Sequence, residues 1–167
     1  MRKRRAAFAC GIVLFLAASG AAVGQKDDKA AALAFIQTAR LLEEKPFHRD
    51  AKEARRLAIT WLLGTDQVSL TICSLILSGI DQKYEYETEV VSQYTIGMGV
   101  FKLTNPDRVK DENAAQMAGI LSALTSYEAM VREQPRARNA FMDSLLVRRS
   151  DGSLVKYVAE NNCKKKV

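Results

Sequence analysis

Proline and glycine are scarce in this sequence, at three and nine residues of 167. No Ser/Gly tract or low-complexity stretch is present, so nothing marks a linker between domains. Histidine occurs once, at His48, which excludes a two-histidine metal centre. It lies in the turn after Pro46, between Phe47 and Arg49, and reads as an exposed turn residue. No Gly-x-Ser-x-Gly elbow and no Walker pattern occur. Gly97-Met98-Gly99 is not followed by a third glycine, and no strand signal leads into it, so it is not a phosphate loop. Long apolar runs are missing too. The two longest, Ala6–Ala18 and Val68–Leu77, fall short of the ~20 residues a spanning helix needs.

What is present begins at the N-terminus. Arg2, Lys3, Arg4 and Arg5 form a basic stretch without an acid. Ala6–Ala18 is an apolar core of 13 residues, Ser19–Gly24 is small or apolar, and a polar cluster starts at Gln25. This is the layout of a secretory signal peptide. Cleavage fits best after Ala22-Val23-Gly24, with Ala18-Ser19-Gly20 second; an uncleaved anchor is the alternative. Cys10 sits too early in the apolar core for a lipoprotein signal, and the Arg4-Arg5 pair only hints at a twin-arginine one. The expected organisation is a removed signal at 1–24, a helical domain at 25–160 and a basic tail at 161–167. No transmembrane segment is expected after removal of the signal.

This reading changes the charge argument. The whole chain carries +6, but the signal holds four of the basic residues and Lys164–Lys166 hold three more. The body between them is close to neutral, so the basic pI does not point to nucleic acid, which demands cations clustered on one face. Removal of Cys10 leaves two cysteines, Cys73 and Cys163, in an oxidising compartment, where a disulfide is expected. Closing a loop of that length is worth roughly 4–5 kcal/mol in the chain-entropy treatment.

Apolar residues recur at three-to-four spacing along the remaining chain, which predicts an all-α single domain of six to seven helices. The expected helices are 29–44, ended by Pro46; 49–63, stopped by Gly64; 67–79; 84–103; 105–133, opened by Asn105-Pro106-Asp107; 135–148; and 154–160. The 67–79 run is apolar all round and is expected to be the central buried helix, with a strand as the alternative. A short strand is also the alternative at 84–89, where apolar and acidic residues alternate. Residues 34–51 and 123–140 align at an offset of 89, both reading helix, Glu-x-Pro, helix. Five identities, Ala34/Ala123, Glu44/Glu133, Pro46/Pro135, Arg49/Arg138 and Ala51/Ala140, suit chance similarity between amphipathic pairs better than a duplicated hairpin.

The chemistry-bearing candidates are few. Glu43-Glu44, Glu85/Glu87/Glu89 and Asp111-Glu112 are the acidic clusters that could run carboxylate hydrolysis. Each sits near a helix end, where solvated charge is the ordinary reading. Tyr84, Glu85, Tyr86 and Tyr94 form an amphipathic cluster suited to a protein interface. No cofactor or metal is expected. The leading functional expectation is an exported periplasmic or secreted protein that binds another envelope or secreted protein without catalysis. The alternatives are a hydrolase with paired carboxylates in an interhelical groove and a carrier of an apolar ligand. Mass spectrometry of the exported protein should show Gln25 as its first residue; a chain retaining Met1 in the membrane fraction would refute cleavage.

Overall fold

The computed structural model describes the backbone of residues 20–163 and the side chains of residues 28–163. The basic stretch, the apolar core of the signal and Lys164–Lys166 lie outside the described residues. Six helices occur among the described residues: α1 Gly20–Glu44, α2 Ala51–Gly64, α3 Glu87–Thr104, α4 Glu112–Glu133, α5 Ala140–Ser150 and α6 Leu154–Asn161. Short 3-10 turns fall at Ser74–Leu77, Pro106–Arg108 and Pro135–Ala137. Among the described residues there is no strand, and no helix is long and apolar enough to cross a membrane. The chain is a single all-α domain. α1 is already helical at Gly20, the first described residue, ahead of the expected start at Lys29, and includes both candidate cleavage points.

The central helix is not at 67–79. That segment is a strap, irregular from Thr65 to Cys73 and then turned once through Ser74–Leu77. Helix propensity separates its residues by less than ~0.7 kcal/mol each. Burying Ile76, Leu77 and Ile80 is worth ~1.5–3 kcal/mol each, so tertiary placement decides the conformation. An irregular backbone must have its carbonyls satisfied by other groups. Three side chains do this: Lys102 Nζ of α3 donates to Ser69 O (2.7 Å), Gln116 Nε2 of α4 to Thr71 O (2.6 Å), and Tyr157 OH of α6 to Ile76 O (2.9 Å). The disulfide from Cys73 to Cys163 anchors the same strap to the end of α6.

The central position belongs to α3. Gln93 to Gly99 are buried without interruption. Val90, Tyr94 and Met98 face a large core shared with the strap, α4, α5 and α6. Ile96 faces a smaller one made by Phe35, Ala39 and Leu42 of α1 with Ala51 and Ala58 of α2. α3 and α4 approach closely through small residues. A Cβ on Gly97 would stand 2.4 Å from Ser122 Cβ, and one on Gly119 would stand 2.7 Å from the Tyr94 carbonyl oxygen.

The long helix expected over 105–133 is broken. The residue before proline avoids the helical region, and Asn105 sits at φ −130°, ψ 67°. Its amide does not open a helix; it donates to Phe101 O (2.8 Å) and closes α3. α4 starts only at Glu112, where Asp111 Oδ1 accepts from Ala114 N (3.0 Å). The expected helix from Pro135 is divided in the same way: Asn139 Oδ1 caps α5 by accepting from Phe141 N and Met142 N (3.0 and 3.1 Å). The offset of 89 recurs in the helix boundaries, since α1 and α4 end at Glu44 and Glu133 while α2 and α5 begin at Ala51 and Ala140. The surroundings differ, because Ala51 is buried and Ala140 exposed.

Gly119→Val would force apart the α3–α4 contact at backbone. It should cost about 3 kcal/mol, read as a lower midpoint in chemical denaturation; an unchanged midpoint would refute the close-packing argument.

Candidate functional site

The sequence candidates separate into structural roles. Cys73 and Cys163 are bonded, with Sγ–Sγ 2.04 Å and Cα–Cα 5.4 Å. Tyr94 is 1% exposed and belongs to the core. Tyr86 is also buried; its ring packs 5.2 Å from Phe47 and its hydroxyl donates to Gln134 Oε1 (2.9 Å). Tyr84 is half-buried and donates to Ala137 O, which pins the α4–α5 turn. Glu85 alone is exposed, 3.6 Å from Arg136. The cluster expected to be an interface is therefore mostly internal, with the hydroxyls of Tyr84 and Tyr86 spent on neighbouring segments.

The acidic clusters do not converge. Glu43 Oε1 accepts from Ser122 (2.5 Å), while Glu44 is exposed. Glu89 pairs with Arg55 at 3.6 Å and Glu85 with Arg136. Asp111 caps α4 and bonds Arg108, whereas its neighbour Glu112 pairs with the buried Lys102 at 2.6 Å. The carboxyls with shifted acidity all shift downward. The Arg108 hydrogen bond, helped by the Ala114 N–H, holds Asp111 below its usual value; Arg56 does so for Glu53 and Ser153 for Asp151. A general acid needs the opposite shift. His48 accepts the Asp50 N–H at Nδ1 (3.3 Å), and the described residues hold no cluster of three potential metal ligands.

The sequence reading missed a groove formed by α2, the strap and α3. Ile59 and Leu62 line one wall, Val68 and Ile72 another, and Val91 and Thr95 the floor, enclosing about 620 Å³. Leu63 is 84% exposed and Ile72 53% exposed at its rim. A second groove of about 840 Å³ continues along the same helices and shares Ile59 and Ser92 with the first. Its lining is charged, with Arg49, Lys52, Arg55 and Arg56 against Glu53, Glu85 and Glu89. The first groove is thus mainly aliphatic, with Asp66 also in its lining, the second mainly charged, and both open to solvent.

The α2 wall looks ordinary in sequence. Leu63 follows Leu62 immediately before Gly64, outside the apolar stripe of α2. The strap wall had no local signal, because it depends on bonds from Lys102 and Gln116, more than thirty residues away.

Comparison with protein-family models, curated proteins and solved structures finds no match for this chain.

Burial leaves a titration signature in the phenols. It pushes Tyr84, Tyr94 and Tyr157 above their usual value and Tyr127 up to about 12. The folded state therefore holds protons that the unfolded state releases from pH 10 upward. Stability from these groups is complete below pH 10 and is lost as pH rises through the folded values. Tyrosinate absorbance from these four phenols should appear together with loss of helical circular dichroism; their early, gradual ionisation in a folded protein would refute it.

Proposed function

We propose that this is an exported, non-enzymatic protein that binds an apolar segment of another envelope or secreted protein. The carrying observation is the open apolar groove between α2, the strap and α3, with Leu63 and Ile72 left at its rim. Apolar surface gathered in one groove and left in water marks a binding site, whereas scattered exposed leucines do not. An enclosing cavity would suit a small apolar cargo, which needs most of its surface covered. This groove is open along its length and suits a segment of a larger partner. The hydrolase reading is weakened because Glu85 and Glu89, and Asp111 and Glu112, are divided among separate cations and a cap, while Glu43 is held by Ser122.

Export is supported by the three-part N-terminal layout and by a disulfide of the kind oxidising compartments maintain. Binding without catalysis is consistent with a site built from fixed packing, where the strap is held by three side-chain bonds and a covalent link.

Leu63→Asp with Ile72→Asp should leave stability within about 0.5 kcal/mol, since both side chains are largely exposed. The double variant should lose at least roughly tenfold of its affinity for envelope partners bound by the native protein, a change of about 1.4 kcal/mol. Undiminished binding by the folded variant would refute the groove.

A further inference from the structure

The charged half of the groove starts at the N-terminus of α2, and that terminus is unusual in three respects. First, it lacks a side-chain cap. Asp50 precedes the helix at φ −97°, ψ 1° without bonding back into it. Its carboxylate instead accepts from Arg49 Nε at 3.3 Å and lies 3.6 Å from His48 Nδ1. The backbone N–H groups of Lys52 and Glu53 have no acceptor among the described residues. Free N–H groups and the positive end of the helix dipole together favour an anion.

Second, cations accumulate where that dipole disfavours them. Arg49, Lys52, Arg55 and Arg56 all line the groove. The carboxylates among them are engaged and occupy Arg55 and Arg56 in turn, while Arg49 bonds Asp50, so Lys52 is the lining cation left over. Glu53 is held by two bonds from Arg56 (2.8 and 2.6 Å), Glu89 faces Arg55, and Glu85 faces Arg136. Lys52 has no ion-pair partner among the described residues.

Third, Arg55 is a buried cation left incompletely satisfied. It is 6% exposed and lines the groove. Its Nη2 donates to Pro46 O, its Nη1 lies 3.6 Å from Glu89, and its Nε has no partner. A buried guanidinium is costly unless its donors are used. Arg55 thus adds an incompletely satisfied cation to the lining of the charged half of the groove.

We infer that the partner segment is bipartite: apolar side chains fill the Ile59–Leu63–Ile72 end, and an Asp or Glu side chain lies against Arg49, Lys52 and Arg55 at the N-terminus of α2. This rests on the proposed binding function and adds the chemistry of the partner. The distances set a spacing. Lys52 is separated from Ile59 and Leu63 by seven and eleven residues of helix, or about 10–16 Å at 1.5 Å per residue. An extended peptide covers that in about three to five residues at ~3.3 Å each. The favoured ligand is therefore an extended segment with its acid three to five positions from its apolar anchor.

The test uses the mature, disulfide-intact chain and a random linear-peptide library displayed on phage. Enriched peptides should carry an Asp or Glu about three to five positions from an apolar pair. Their binding should vanish with Leu63→Asp/Ile72→Asp and fall at least roughly tenfold with Arg49→Glu/Lys52→Glu. Both pairs are at the surface, so circular dichroism should show each variant folded, and an acid-to-lysine peptide should regain affinity for the charge-reversed protein. Apolar peptides with no acidic preference, indifferent to charge reversal, would overturn the inference and leave the groove reading standing. Peptides indifferent to Leu63→Asp/Ile72→Asp, or no enrichment at all, would overturn both. Oleate binding that displaces the peptides and depends on the same residues would overturn the peptide partner in favour of a lipid cargo.

Discussion

The close approach of α3 and α4 is the contact on which the other elements depend. It is made possible by Gly97 and Gly119 and sealed by polar groups that find one another: Gln93 Nε2 donates to Ser122 Oγ (2.9 Å) and to Ala39 O (3.3 Å), while Ser122 donates to Glu43. Three helices thus meet at one serine. A larger residue at Gly97 would remove van der Waals contact and also part the partners of buried polar groups, whose desolvation is then uncompensated. With α3 held on both faces, α1 and α2 pack on one side, and the strap, α5 and α6 on the other.

This arrangement explains what was legible in the sequence. Helix ends with local causes were readable: Pro46 after Glu44, Gly64 closing α2, Pro135 after Glu133. The faces of α3 and α4 were readable as well, because Val90, Tyr94 and Met98, and Ile120, Leu124 and Tyr127, recur at helical spacing and are buried. The cysteine pairing followed from an even count. The strap was not readable. A short, wholly apolar run has no period that separates a buried helix from an irregular segment. Its conformation is settled by Lys102, Gln116 and Tyr157, whose polar ends gave no hint in sequence of the carbonyls they would meet. The break between Asn105 and Asp111 failed for a related reason: the same residue type caps a helix start or closes a helix end, and Asn105 does the latter.

The groove was invisible for the same reason as the strap. Each wall comes from a different stretch of chain, and Leu63 and Ile72 look in isolation like ordinary apolar residues near a glycine and in a buried run. The tyrosine cluster shows the converse error. Its amphipathic pattern is real, but the hydroxyls of Tyr84 and Tyr86 are needed internally, by Ala137 O and Gln134. A polar handle on a buried ring takes the nearest acceptor, and here the nearest acceptors belong to the protein itself.

The disulfide imposes an order on assembly. Cys73 lies in the strap and Cys163 beyond α6, so all six helices have to be synthesised before the bond can close. Until then the strap is held by non-covalent contacts alone, and its three side-chain hydrogen bonds all come from helices made after it. Oxidation can therefore close this bond only once the entire helical body is present.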